Sequence, residues 1–162
     1  SCTAALRVAL ATLNLNKKDE VITQSFTFVA TVEAIVESGA IPVCTDINET
    51  LNMDPNDLIR KINKKTKAVI VVHMLGVPAQ LDKIKKICKK YKITLIEDTA
   101  WGCGGKFKNR FLGTWGDIGA YSFDFAKTLT TGEGGMLLFK SKKKFENFCI
   151  SLFLIQNYLY YF

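Results

Sequence analysis

Residues 67–98 read KAVIVVHMLGVPAQLDKIKKICKKYKITLIED, and they contain two alternating hydrophobic patterns. The run from Ala68 to Val72 is apolar at consecutive positions, which is typical of a strand buried on both faces. Between positions 81 and 91 the apolar residues recur at helical spacing, with lysines between them. A second apolar run occupies residues 93–96. Strand, helix and strand in this order indicate a parallel sheet covered by helices.

The same alternation extends to both sides of this stretch. Further strands are predicted at EVIT (20–23), IPVCTDI (41–47), Ala120 to Phe125 and MLLF (136–139). Further helices are predicted at FVATVEAIVESG (28–39) and at DPNDLIRKI (54–62), where Asp54 is expected to be the N-cap. We therefore predict an α/β fold of three layers, with a mostly parallel sheet between helices. Residues 1–147 are expected to form one unit, followed by an atypical tail at 148–162.

The formal net charge of +7 raises the question of nucleic-acid binding. The basic residues concentrate at 83–92 and 140–144. In the first run, however, lysines alternate with apolar residues at helical spacing, which is the pattern of a solvated helix face. We therefore expect no nucleic-acid partner.

Cysteine usage and hydropathy indicate a cytoplasmic protein without a membrane segment. The apolar run 148–162 is interrupted by polar residues and is shorter than a bilayer span. Five widely spaced cysteines form neither a CxxC pair nor a metal-ligand cluster with the one histidine, His73. We expect reduced thiols, no metal and no secretion signal.

Three features suggest chemistry. Asp98 follows an apolar run, and ligands of an open parallel sheet bind beyond the carboxyl ends of its strands. Lys127 likewise follows a predicted strand. Residues 1–4 open an amphipathic helix whose N–H groups and positive dipole end suit a phosphate. Singly, each has an ordinary explanation as a cap or a surface charge. Together, a carboxylate, an amine and an anion site are what pyridoxal 5′-phosphate requires.

The chain also resembles a known family along most of its length. The matching motifs are SCTAAL (1–6), QSFTFVAT (24–31), GAIPVCTDI (39–47), HMLGVPA (73–79), IEDTAWGCGG (96–105), LGTWGDIGAYSFDFAK (112–127) and TTGEGG (130–135). In this order and spacing they resemble the large domain of the DegT/StrS-type sugar aminotransferases, within the fold-type I pyridoxal-phosphate enzymes. Residues 1–147 would then be a pyridoxal-phosphate-binding large domain, truncated at both ends.

The resemblance implies a role for individual residues. Lys127 would be the Schiff-base lysine and Asp98 the carboxylate that keeps the pyridine nitrogen protonated. The implied cofactor-binding residues are Thr3, Ala4 and Ser122 for the phosphate, Phe28 for stacking on the ring, and Asp98, Trp101 and Lys127. Trp101 stands where many relatives have Gln or His, and it can donate but not accept a hydrogen bond. Cys2 stands where the family usually has Gly, so its side chain takes up space at the phosphate loop, although a side chain this small is tolerable there. Asp124 and Glu133 lie in matching motifs without an assigned role.

The activity that the resemblance implies is transfer of an amino group from glutamate to a keto sugar for lipopolysaccharide or surface glycans. The acceptor would be a nucleotide-linked 4-keto-6-deoxy sugar or a keto-octulosonate, and full-length relatives are homodimers. A related sugar dehydratase is the first alternative, but Lys127 favours transamination because the dehydratases replace this lysine with histidine. The second alternative is a catalytically incomplete fragment that at most binds cofactor, and we expect little or no turnover from the isolated chain.

Overall fold

The computed structural model describes residues 1–143, 145–146 and 149. Its helices are α1 (Cys2–Ala11), α2 (Val29–Glu37), α3 (Pro55–Lys61) and α4 (Leu81–Tyr91). Its strands are β1 (Glu20–Gln24), β2 (Ile41–Thr45), β3 (Thr66–Val72), β4 (Thr94–Asp98), β5 (Lys106–Phe107), β6 (Arg110–Phe111), β7 (Ile118–Ser122) and β8 (Gly135–Phe139). The tail predicted at 148–162 lies, apart from residue 149, outside the described residues.

Six strands form one sheet in the order β2-β1-β3-β4-β7-β8. Strands β2, β1, β3, β4 and β7 are parallel to one another, and β8 pairs antiparallel with β7 at one edge. The short hairpin β5–β6 is separate. The prediction of a mostly parallel sheet is thereby confirmed. Since parallel strands share a direction, the carboxyl ends of β1, β3, β4 and β7 meet at one edge of the sheet.

Two hydrophobic cores lie on opposite faces of the sheet, so the three-layer prediction is also confirmed. One face packs against α1 and α2, with Leu6, Leu10 and Ile35 fully buried. The other packs against α3 and α4, with Leu58 and Ile84 fully buried. Successive residues of a strand point to opposite faces, and β4 therefore contributes side chains to both cores.

The strand predicted at 120–125 is displaced toward the amino terminus in the structure, where β7 spans Ile118–Ser122. Its early start depends on Gly119, because a Cβ there would lie 2.1 Å from the carbonyl oxygen of Gly113. The chain leaves the sheet at Asp124, whose carbonyl accepts from the N–H of Lys127 at 3.0 Å. The predicted strand at 120–125 therefore begins two residues and ends three residues later than β7.

Local sequence signals in the helices are confirmed. The carboxylate of Asp54 caps α3 by accepting from the N–H of Asn56 at 2.9 Å. Helix α4 buries Leu81, Ile84 and Ile87 and leaves most of its lysines in solvent, as its pattern predicts. In the described part of the chain, no helix has both the length and the apolar character needed to span a bilayer. All five cysteines are free thiols.

Candidate active site

A cavity of about 200 Å³ opens at the carboxyl edge of the sheet. Its walls come from the first turns of α1 and α2 and from the ends of β3, β4 and β7. Six of the seven predicted cofactor-binding residues line it together: Thr3, Phe28, Asp98, Trp101, Ser122 and Lys127. The seventh, Ala4, lies on the same helical turn but faces a neighbouring depression beside Gly135. Of the two motif residues without a role, Asp124 lines the cavity and Glu133 is exposed.

Asp98 is the buried acid of this cavity, with 5% of its surface exposed. Its Oδ1 accepts from the thiol of Cys2 at 3.5 Å and from the N–H of Ala100 at 3.1 Å. Its Oδ2 accepts from the hydroxyl of Thr31 at 3.1 Å. All three hydrogen-bond donors are uncharged. The carboxylate is therefore held in one orientation without a cationic side chain as hydrogen-bond partner.

Burial raises the pKa of Asp98 above its ordinary value, and the hydrogen bonds from Ala100, Thr31 and Cys2 oppose that rise. The physical cause is that a carboxylate loses its hydration in the protein interior. A positively charged group placed in the cavity would stabilise the ionised Asp98 in place of the lost hydration. The site is thus prepared for a cationic hydrogen-bond donor opposite Asp98.

Cys2, at the start of α1, points toward Asp98. Its side chain is buried and its thiol lies against the carboxylate. Burial strongly raises the pKa of this thiol, and the negative charge of Asp98 raises it further. Cys2 therefore stays protonated, so it acts as a hydrogen-bond donor and is a poor nucleophile.

The first turn of α1 forms one wall of the cavity. Ser1 caps the helix, and its hydroxyl accepts from the N–H of Ala4 at 3.4 Å. The N–H groups of Cys2 and Thr3 are the orphan donors that every helix start leaves without an intrahelical partner. This turn packs directly on β8, because a Cβ at Gly135 would lie 2.3 Å from the carbonyl oxygen of Ser1. The buried hydroxyl of Ser122 lines the same cavity.

Lys127 and Trp101 complete the cavity from two loops. Lys127 lies in the loop between β7 and β8, and Trp101 lies in the turn after β4. The Nζ of Lys127 stands 3.9 Å from the centroid of the Trp101 ring. Phe28, the N-cap residue of α2, exposes 71% of its surface at the cavity and is free to stack on a planar ligand.

Sequence reasoning did not identify a second buried acid, Glu97. Its Oε2 accepts from the N–H of Gly113 at 2.8 Å, and its Oε1 from the N–H of Gly116 at 2.6 Å. His73 Nδ1 accepts from the N–H of Ala79 at 3.2 Å, which leaves the ring proton on Nε2 to donate to Glu97 Oε2 at 3.2 Å. Glu97 thereby ties the glycine-rich loop to β3 and β4. His73 lies in the motif HMLGVPA (73–79) and Glu97 in the motif IEDTAWGCGG (96–105). Their places in these motifs were the sequence feature that could have identified both residues.

Replacing Glu97 with glutamine is expected to destabilise the fold by about 2 kcal/mol. Each carboxylate oxygen accepts from at least one N–H, so an amide NH₂ at either position would face another donor. Urea unfolding of Glu97→Gln should show this loss, and Glu49→Gln, at an exposed position, is the matched control. Equal stability of the two variants would contradict the role assigned to Glu97.

The fold and the cavity define a class of protein. One sheet lies between two layers of helices, and a carboxylate, a lysine and a helix start meet at its carboxyl edge. This is the arrangement of the large domain of pyridoxal-phosphate aminotransferases. A solved aminotransferase, TlmJ from Streptoalloteichus hindustanus, superposes with a TM-score of 0.87 and 37% identity, over 91% of this chain and 40% of that one. NtdA from Bacillus subtilis, solved with bound cofactor PMP, superposes with a TM-score of 0.84 and 31% identity, over 91% and 34%.

The sequence profile of the DegT/DnrJ/EryC1/StrS aminotransferase family matches residues 1–153, and the chain belongs to this family. The GDP-perosamine synthase of Escherichia coli O157:H7 is 41% identical over 145 residues. That alignment covers 89% of this chain and 40% of the relative. The chain thus spans well under half the length of the relatives it matches.

Proposed function

We propose that the chain, residues 1–147 in particular, is the cofactor-binding large domain of a pyridoxal-phosphate-dependent sugar aminotransferase. The observation that carries this proposal is the convergence of Asp98, Lys127 and the start of α1 on one cavity. The three groups lie far apart in the sequence, and the parallel sheet brings them to a common edge. Membership of the family supports the same activity.

The residues present fit pyridoxal phosphate in charge and chemistry. Asp98 is a buried carboxylate whose hydrogen-bond donors are all neutral, which suits a protonated ring nitrogen. The orphan N–H groups of α1 and the hydroxyl of Ser122 suit a phosphate. When bound, the cofactor supplies an electron sink for bonds broken at the amino-bearing carbon.

Each protein group would then have a defined part in the chemistry, and Lys127 would have two. Asp98 holds a proton at the ring nitrogen by placing a negative charge beside it. Lys127 provides the amine for covalent attachment, and as a free amine it moves a proton at the substrate carbon. The phosphate would be anchored by Thr3, Ser122 and the N–H groups at the start of α1. The N–H of Ala4 would join them after releasing its hydrogen bond to the hydroxyl of Ser1. Phe28 would stack on the ring, since its side chain is exposed at the cavity.

For the substrates, we propose glutamate as amino donor and a nucleotide-linked 4-keto-6-deoxy sugar or a keto-octulosonate as acceptor. Similarity to a GDP-perosamine synthase supports a sugar acceptor. The product would serve lipopolysaccharide or another surface glycan, made in the cytoplasm. Lys127 supports amino transfer over dehydration, since an amine is available to relay protons.

We also propose that a second copy of the chain covers the mouth of the cavity. Several large apolar side chains are exposed in the loops at the carboxyl edge: Phe26, Phe28, Leu75, Phe125 and Leu129. Large apolar side chains left exposed around a site are a feature of surfaces that a partner covers. Homodimer formation, measured by analytical ultracentrifugation with and without cofactor, tests this part of the proposal.

Transfer of ¹⁵N from labelled glutamate to the keto sugar, followed by mass spectrometry, tests the activity. Incorporation of ¹⁵N into an amino sugar supports the proposal, and glutamine in a parallel sample tests the choice of donor. Loss of a sugar hydroxyl without nitrogen gain would identify a dehydratase instead. Tight cofactor binding without any reaction would favour the incomplete fragment.

Replacing Thr31 with valine is expected to weaken cofactor binding about tenfold, because hydrogen bonds to charged groups contribute about 1.5–3 kcal/mol. The hydroxyl donates to Asp98 Oδ2, so its loss disfavours the ionised carboxylate that the ring nitrogen needs. Absorbance titration with pyridoxal phosphate measures the effect. Thr31→Ser retains the hydroxyl and should bind nearly as well as the unaltered chain; equal weakening of both variants would exclude this role.

A further inference from the structure

The contact between Lys127 and Trp101 joins two loops that lie 26 positions apart in sequence. An ammonium group within about 6 Å of an indole centroid is attracted by the negative face of the ring. The observed distance of 3.9 Å is well inside this range. Both side chains line the cavity beside Asp98.

The backbone on both sides of this contact is closely held. A Cβ at Gly76, where φ is +82°, would lie 3.0 Å from the carbonyl oxygen of Trp101. A Cβ at Gly102 would lie 3.0 Å from Leu112 Cδ1. On the other loop, the N–H of Lys127 donates to the carbonyl of Asp124 at 3.0 Å. The packing of these two turns therefore places the side chains of Trp101 and Lys127 close together.

In the part of the chain that the structure describes, Lys127 forms no ion pair with a carboxylate within 4.0 Å. Asp124 also lines the cavity, but its Oδ1 accepts from the N–H of Phe125 at 2.8 Å. The indole face is therefore the group that holds the ammonium of Lys127. Trp101 exposes 41% of its surface, so the ring is reachable from the cavity.

We propose that Trp101 is a positioning residue for Lys127, and that its indole face holds the amine inside the cavity whenever that amine is not bonded to cofactor. The use of the amine rests on the proposed function, whereas the contact itself does not. Because the interaction requires an aromatic face, phenylalanine can replace Trp101 in part and glutamine cannot. A tryptophan that served only as a hydrogen-bond donor would show the opposite preference.

The first experiment needs no cofactor. The chain has two tryptophans, so Trp115→Phe leaves Trp101 as the sole indole fluorophore. In this background, Lys127→Met should change the emission intensity of Trp101 and raise its quenching by acrylamide, a neutral quencher, whereas Lys127→Arg, which also stacks on aromatic rings, should retain the original signal. Lys86→Met, at an exposed position on α4, is the control and should change nothing. Emission and quenching that stay the same after the Lys127→Met substitution would overturn the proposal.

The second experiment measures how Trp101 affects the reactivity of Lys127. The chain is treated with pyridoxal phosphate and borohydride, and labelling of Lys127 is compared with labelling of Lys86 in the same sample by peptide mapping. The ratio should fall about tenfold in Trp101→Gln and stay within about threefold in Trp101→Phe. Equal ratios in both variants would overturn the proposal. A ratio near one in the unaltered chain would count against the proposed function, and the fluorescence result would then still decide the role of Trp101.

Discussion

Addition of pyridoxal phosphate to the purified chain is expected to give a near-visible absorbance band, and Lys127→Met should lack it. Only an amine inside the cavity can attach the aldehyde next to Asp98 and the start of α1. Loss of that amine also removes the proton relay, so any amino transfer should fall by a factor on the order of 10⁴. Borohydride reduction and peptide mapping should place the fixed cofactor on Lys127.

The specificity of this result is checked with another lysine. Lys86 is exposed on α4, and Lys86→Met should bind and fix cofactor like the unaltered chain. Circular dichroism of both variants should be unchanged, since Lys127 packs in no hydrophobic core. A fixed band in Lys127→Met, or a modified residue other than Lys127, would remove the basis of the proposed site.

Asp98→Asn is expected to have two opposite effects. Cofactor affinity should fall at least about a hundredfold, because an amide cannot place a negative charge beside the ring nitrogen. The chain without cofactor, however, should become more stable at neutral pH, because burial disfavours the ionised carboxylate and raises the pKa of Asp98. An asparagine can keep its oxygen toward Cys2 and Ala100 while its NH₂ donates to the hydroxyl of Thr31.

The pH dependence of unfolding tests the second effect. A carboxyl group with a raised folded-state pKa binds its proton more tightly in the folded chain than in the unfolded one. The ionised form of such a carboxyl group destabilises the folded chain. This effect is absent below the unfolded-state pKa of about 3.9, and it grows as the pH rises toward the folded-state pKa. The stability gain of Asp98→Asn should therefore vanish below about pH 4. The exposed Asp46→Asn serves as control, and a stability loss in Asp98→Asn at pH 7 would contradict the account of its burial.

Much of the fold follows from periodicity. The strands and helices between residues 20 and 98 were predicted because apolar runs alternate there with helical patterns, and each predicted element is present. The strand at 118–122 was misplaced because its first residues look like a glycine-rich loop. Gly119 is needed there for close approach to Gly113, and this contact depends on the tertiary structure.

The candidate site was predicted less completely than the fold. Asp98 and Lys127 stand at strand ends, a position that sequence reveals. Two of the three donors to Asp98 belong to α1 and α2, and nothing local to Cys2 or Thr31 indicates that both side chains reach the same carboxylate. Contacts across 96 and 67 residues are created by the sheet order, which the sequence pattern does not specify.

The last two residues of β4 are both buried acids with unlike surroundings. Glu97 binds the backbone of the glycine-rich loop on the α4 side, and Asp98 faces the cavity on the α1 side. Because neighbours on a strand project in opposite directions, an insertion of one residue within β4 ahead of Glu97 would move Glu97 to the position of Asp98 and Ile96 to the position of Glu97. The longer side chain would then enter the cavity, and the loop would lose its anchor. For anyone redesigning this scaffold, the spacing of β4 is therefore as constrained as the identity of its acids.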